Sequence, residues 1–214
     1  MIFKDRFEAG EKLAQKLVNY RNYKNVLVIG LPRGGIILAN EVAKKINSQL
    51  DIVVPRKISA PNNPEFAIGA ITEQGDYFLN QDIIDYYKIS KKYIDREITI
   101  EKKESKRRLK SYRGNRKSID YNNKIIILVD DGIATGSTIL AAIFSIKKNK
   151  PKKIIVAVPV LARDIINIIK KEVDELVYLE APIFFGAIGA FYRKFEQTSD
   201  QEVKDIMKNY NVPK

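Results

Sequence analysis

The 214-residue chain contains no cysteine, no histidine and no tryptophan. Without cysteine there are no disulfides, thiolate nucleophiles or iron–sulfur clusters. With histidine also missing, ordinary zinc sites and Ser-His-Asp triads are excluded. Long apolar runs are lacking too: the longest, Ile154 to Ala162, falls far short of the roughly 20 residues that span a bilayer. The start, Met1-Ile2-Phe3-Lys4-Asp5-Arg6, has no signal-peptide character, so a cytoplasmic protein with no membrane partner is expected. Repeats, low-complexity tracts and Gly/Ser linkers do not occur. What is there, 45% apolar and 30% charged residues, is the composition of a globular chain long enough to build a core without staples.

The net charge is +12, which raises the question of a nucleic-acid partner. Lys91 to Lys117 holds twelve basic and four acidic residues, so +8 of the +12 sits in one stretch. Acids and bases interleave there, as on a solvated helical face. The chain also carries 27 Lys against 11 Arg, whereas nucleic-acid readers favour a basic patch with Arg and stacking aromatics. The distribution therefore argues against a nucleic-acid partner.

Patterning points to an α/β protein. An amphipathic helix is predicted after Asp5 to about Tyr20, from Leu13, Leu17 and Val18. Strands are predicted at Asn25 to Gly30, Asp51 to Pro55, Lys124 to Val129, Lys153 to Val158 and Glu175 to Leu179. Helices are predicted at Ile36 to Ile46, Ser137 to Lys148 and Arg163 to Lys171. Lys57 to Pro64, with Ser59, Pro61, Asn62, Asn63 and Pro64, reads as a loop. Ile68 to Thr72 and Tyr77 to Leu79 read as a hairpin around Gln74-Gly75-Asp76. Charged helical segments fill Gln81 to about Arg113. This alternation implies a parallel sheet covered by helices on both faces. Ala181 to Phe195 is rich in Gly and aromatics, and Ser199-Asp200-Gln201-Glu202 forms a capping box for a last helix. One domain over residues 1–214 is expected, its core at about 20–180, with a small lobe from the N-terminal segment and residues 181–214.

The chemistry-bearing segment is Ile125-Ile126-Ile127-Leu128-Val129-Asp130-Asp131-Gly132-Ile133-Ala134-Thr135-Gly136-Ser137-Thr138. An apolar strand ends in two carboxylates, turns through small and hydroxyl residues, and enters a helix. Ligands of open α/β sheets bind beyond the carboxyl ends of strands. The loop N–H groups and the helix N-terminus suit a phosphate, with hydroxyls from Thr135, Ser137 and Thr138. The paired carboxylates suit vicinal sugar hydroxyls, or a Mg²⁺ ion holding a polyphosphate. Gly30 to Gly35 lacks the Lys-Ser/Thr of a P-loop and is not Gly-x-Gly-x-x-Gly. A receiver-type acyl-phosphate site would need no such nest of hydroxyls.

This segment resembles the phosphoribosyl pyrophosphate signature of the type I phosphoribosyltransferases. Leu31-Pro32-Arg33-Gly34-Gly35 is similar to the loop that binds pyrophosphate in that superfamily. Arg56-Lys57-Ile58, Asn63 to Ala70 and Gln197 to Val203 resemble a group of poorly characterised bacterial and archaeal members. The resemblance implies the type I phosphoribosyltransferase fold, a parallel sheet flanked by helices with a small hood lobe. It also implies Mg²⁺-dependent transfer of a phosphoribosyl group to a nitrogen acceptor. Asp130 and Asp131 would then accept from the ribose hydroxyls, while Ala134, Thr135, Gly136, Ser137 and Thr138 wrap the 5′-phosphate. Arg33, Gly34 and Gly35 would meet the pyrophosphate. Arg56 and Lys57 would neutralise it, with Lys57 and Arg33 as the catalytic cations. Glu65, the only carboxylate between Asp51 and Glu73, is either a proton acceptor or a plain surface residue. Mg²⁺ would be held mainly by the substrate, reached from Asp130 and Asp131 through water at most, with no direct metal ligand in the protein.

Family members acting on 6-oxopurines carry an acid at the position of Ala134, so hypoxanthine and guanine are disfavoured as acceptors. Phe184, Phe185, Phe191, Tyr192 and Phe195 either stack a small planar acceptor or pack the small lobe. A homodimer is admitted by the resemblance but not required. The alternative reading is a non-catalytic sensor of phosphoribosyl pyrophosphate that grips nucleic acid through Lys91 to Lys117.

Overall fold

The computed structural model describes residues 2–210 apart from 115 and 118, and the side chains of these apart from 64 and 65. Asp5 caps the first helix, α1 (Arg6–Lys16), by accepting from the Glu8 N–H. Strand β1 (Val26–Gly30) leads into α2 (Gly35–Ile46), and β2 (Gln49–Ile52) follows. Next come β3 (Arg56–Ala60), β4 (Asn63–Ile71) and β5 (Tyr77–Leu79), then α3 (Gln81–Tyr86) and α4 (Lys91–Arg113). Alternation resumes with β6 (Ile125–Val129), α5 (Ser137–Lys147), β7 (Lys153–Val160), α6 (Ile166–Glu172) and β8 (Glu175–Glu180). An irregular stretch then reaches α7 (Asp200–Lys208), whose capping box is complete: Ser199 and Glu202 each accept from the other's backbone N–H.

The central sheet has the order β2-β1-β6-β7-β8, every pair parallel. The three central strands, β1, β6 and β7, are buried on both faces, which explains their apolar runs, whereas the edge strand β8 is half-buried throughout. Val26 and Val28 of β1 and Ile127 and Val129 of β6 join the core under α1, α2 and α7. Leu27, Ile29, Ile126 and Leu128 join the opposite core under α5 and α6. From β1 the chain steps outward to β2, whereas from β6 it runs the other way through β7 to β8. The strand order therefore reverses between β1 and β6, and it is beyond the strand ends at such a reversal that open α/β sheets bind their ligands.

The expected loop over Lys57 to Pro64 is a strand pair instead. β3 and β4 are antiparallel, with Ala60 opposite Asn63 and Pro61–Asn62 as the turn. Proline presets the first central position, and Asn62 takes the second at φ 61°, a left-handed conformation that Asn tolerates. The residues read as breakers thus make one tight turn, and the flanking Ile58, Ala60, Ile68 and Ile71 form a small core with Ile84 of α3 and Ile94 of α4. Phe78 of β5 stacks on Phe144 of α5 at 6.0 Å, fixing this small sheet to the helix that follows β6. The predicted β4–β5 hairpin is present, with Ala70 opposite Phe78.

α4 is also pinned at its end. Arg113 donates to the fully buried Asp51 at 3.1 Å and to the Ile52 carbonyl at 3.2 Å. Along α4, Glu104 pairs with Arg107 and Arg108, and Glu97 with Arg96, so part of its positive charge is neutralised on the helix itself.

Candidate active site

The point of reversal between β1 and β6 receives two helix N-termini. Gly34 is the capping position of α2 and Gly136 that of α5, and neither helix has a side-chain cap. Uncapped N–H groups and the positive ends of two helix dipoles thus converge on the strand ends, an arrangement suited to anions. Gly136 adopts φ 77°, open to glycine at no cost. A Cβ there would also lie 2.7 Å from Ile165 Cδ1. Beside it Thr135 Oγ1 and Ser137 Oγ stand 3.4 Å apart. Ala134 and Thr135 are exposed, Thr138 is half-buried, and Gly136 and Ser137 are buried.

Asp130 and Asp131 end β6 between these two helix starts, both half-buried. Asp130 Oδ1 accepts from the Asp131 N–H at 2.8 Å. Asp131 Oδ2 accepts from Arg6 Nε at 2.8 Å, and the Asp131 carbonyl accepts from the Tyr192 hydroxyl at 2.6 Å. Burial, and then the neighbouring Asp131 charge, push the Asp130 carboxyl well above the usual range. Burial also raises Asp131, with Arg6 opposing the rise.

The two glycines of the β1–α2 turn lie flush against this pair. A Cβ on Gly34 would collide with the Asp131 carboxylate, and one on Gly35 would come within 2.7 Å of Asp130 Oδ1. Hydrogen is the only side chain that permits this approach. The structure thus brings Gly34, Gly35, Asp130 and Asp131 together as the sequence suggests. The preceding Pro32–Arg33 peptide is cis.

The cations are placed differently. Arg33 Nη1 lies 3.6 Å from Asp200 Oδ1 at the start of α7, and Tyr112 of α4 donates to the same oxygen at 2.7 Å. Arg56 on β3 pairs with Glu101 of α4 at 2.7 Å. Lys57 is half-buried on β3, opposite Ala70. Glu65 lies outside the described side chains.

Sequence reasoning misses Arg6, and it gives Tyr192 only as an aromatic that stacks an acceptor or packs the small lobe, not as a donor to the Asp131 carbonyl. Arg6 is buried at the first turn of α1, 125 positions from the carboxylate it binds. Its Nη1 donates to the Glu196 carbonyl at 2.7 Å, and its guanidinium lies 3.9 Å from the centre of the Phe195 ring. Tyr192 is held by Phe3, which it meets at 5.5 Å and pairs with across a parallel bridge. The aromatic segment is thus divided. Phe191, Tyr192 and Phe195 pack on neighbouring rings, whereas Phe184 is 90% exposed.

Among the described residues no group of three or more acidic side chains gathers as a metal site, and no helix is long and apolar enough to cross a membrane. Two carboxylates, each with one oxygen already accepting, fit a Mg²⁺ ion that keeps its waters and is carried on substrate phosphates.

Similarity to known proteins agrees with this geometry. The family model described as "Phosphoribosyl transferase domain" matches residues 2–193. A Mycobacterium tuberculosis protein that bears the name of a phosphoribosyl transferase is 41% identical over 205 residues. That alignment covers 94% of this chain and 45% of the relative, so the chain spans about half the length of the curated relatives it matches. The crystal structure of TT1426 from Thermus thermophilus is 35% identical, covers 99% of this chain and 100% of its own, and superimposes with a TM-score of 0.83. A more distant structure, AQ2163 from Aquifex aeolicus, is 11% identical with a TM-score of 0.52 over 97% of this chain and 86% of its own, a likeness of fold alone. With the family match running over nearly its whole length, the chain belongs to the phosphoribosyl transferase domain family.

Proposed function

We propose that this chain transfers the 5-phosphoribosyl group of phosphoribosyl pyrophosphate to a nitrogen of a small, planar, nucleobase-like acceptor, releasing pyrophosphate. One observation carries the reading. A carboxylate pair stands at the switch point of the sheet, flanked by two uncapped helix N-termini and by glycines that touch it. Carboxylates for sugar hydroxyls and N–H groups for phosphates make a site for a sugar phosphorylated at both ends.

In this reading Asp130 and Asp131 take the ribose hydroxyls, and Ala134 to Thr138 with the start of α5 take the 5′-phosphate. Arg33, Gly34 and Gly35 take the pyrophosphate. Departure of pyrophosphate leaves positive charge on C1, so the residues must neutralise the leaving group and exclude water rather than supply a strong base. Lys57 and Arg33 do the first, and Arg56 supports them from β3. For Arg33 this means turning from Asp200 toward the ligand. Mg²⁺, when bound on the diphosphate and reached through water from Asp130 and Asp131, would supply further charge neutralisation.

The single domain over residues 1–214, with a hood from its two ends, belongs to this reading. Contacts between Phe3, Tyr192 and Arg6 support it, because they bring the N-terminus and the aromatic segment to the carboxylate pair. A screen of nucleobases and small amines for pyrophosphate release from phosphoribosyl pyrophosphate tests the activity. Release that depends on one acceptor class supports it. No release with any acceptor, from a chain that still binds the donor, would favour the sensing alternative.

A further inference from the structure

Asp130 and Asp131 each have one carboxylate oxygen already in use. Asp130 Oδ1 accepts from the Asp131 N–H, and Asp131 Oδ2 accepts from Arg6 Nε, both at 2.8 Å. The other oxygen of each carboxylate, Asp130 Oδ2 and Asp131 Oδ1, is the one that a vicinal diol would meet, hydroxyl for hydroxyl. Asp131 is fixed from its other side as well, because its carbonyl accepts from the Tyr192 hydroxyl at 2.6 Å.

Arg6 is itself immobilised. It is buried, bound to the Glu196 carbonyl at 2.7 Å and lies 3.9 Å from the Phe195 ring centre. It also borders the glycine turn, since a Cβ on Gly34 would fall 2.8 Å from Arg6 Nε. This cation stands where two carboxylates would otherwise repel an anionic ligand.

We propose that Arg6 is a positioning residue for the sugar site: by holding Asp131 Oδ2 it aims Oδ1 at a ring hydroxyl and offsets one of the two carboxylate charges. The inference rests on the function proposed above and extends it to a residue at the far end of the chain. A guanidinium itself fixed by the Glu196 carbonyl and a ring contact gives Asp131 Oδ2 a donor at a set place, and orientation gained before binding need not be gained on binding. Arg6 touches no reacting atom, so its effect must pass through Asp131.

Calorimetry on the full chain with ribose 5-phosphate and with its 2,3-dideoxy counterpart separates the hydroxyl contribution from that of the phosphate. The ratio of the two affinities measures what the diol adds. Arg6→Gln is expected to cut this ratio about tenfold, the size of one hydrogen bond to a charged group, while the dideoxy affinity stays within about twofold. Arg6→Lys, which keeps the charge, is expected to recover part of the ratio. Because an unpaired Asp131 can destabilise the fold, Asp131→Asn is also compared with the Arg6→Gln/Asp131→Asn double variant, which leaves no orphaned charge. In that background Arg6→Gln should not lower the ratio further. Equal loss of both ligands, or a full further loss in the Asp131→Asn background, would overturn the role of Arg6 and leave the site reading standing. A parent chain that binds neither sugar, or binds both equally, would overturn the site reading and this inference with it.

Discussion

A cation that acts on a departing pyrophosphate gains most of its interaction as charge develops, so its loss shows in turnover before it shows in affinity. Lys57 is assigned that task, and Lys57→Ala is expected to slow the reaction at least about tenfold while changing donor affinity less. Equal losses in turnover and affinity, from steady-state rates beside calorimetry, would make Lys57 a binding residue only. At this scale the segment from Asp130 to Thr138 is legible in the sequence, because its chemistry and local structure come from consecutive residues. Arg6 is not, because its partner is 125 positions away and only the folded sheet brings them together. The pairing of Arg33 with Asp200 and of Arg56 with Glu101 is hidden for the same reason.

Among the elements, the β3–β4 hairpin differs most from its sequence reading. Pro61, Asn62, Asn63 and Pro64 look like a run of breakers, yet the turn uses only Pro61 and Asn62, and Asn63 already pairs with Ala60. The alternation that would have revealed β3 is short, with Ile58 and Ala60 buried and Arg56, Lys57 and Ser59 half-buried. Asn62 at φ 61° is the point on which this turn depends. Asn62→Val should destabilise the protein by about 1–2 kcal/mol, and Asn62→Gly should be nearly neutral, by urea denaturation. Similar losses for both would show that the turn does not need the left-handed residue. The strands of the large sheet are read correctly to within two or three residues at each end, and the central β1, β6 and β7 most closely at their starts, because burial on both faces leaves an apolar signature there.

Across the whole molecule, the placement of charge bears on the choice between enzyme and nucleic-acid-binding regulator. α4 carries most of the excess positive charge, but Glu97, Glu101 and Glu104 each pair with an arginine, and Arg113 is buried against Asp51. Non-specific DNA affinity is therefore expected to be no tighter than roughly 10⁻⁴–10⁻⁶ M at physiological salt. Nanomolar, sequence-selective binding in a gel shift would restore the nucleic-acid reading. The reversal of strand order between β1 and β6 fixes where the candidate site lies, and it follows from the pairing of β1 with β6 rather than from any motif. The central claim is that Asp130 and Asp131, set at that reversal, bind the sugar of phosphoribosyl pyrophosphate. Calorimetric titration of parent and Asp131→Asn with phosphoribosyl pyrophosphate and Mg²⁺ tests it most directly. Loss of a charge-assisted hydrogen bond, worth about 1.5–3 kcal/mol, should weaken binding about 10- to 150-fold, whereas unchanged affinity in a folded variant would remove Asp131 from the site.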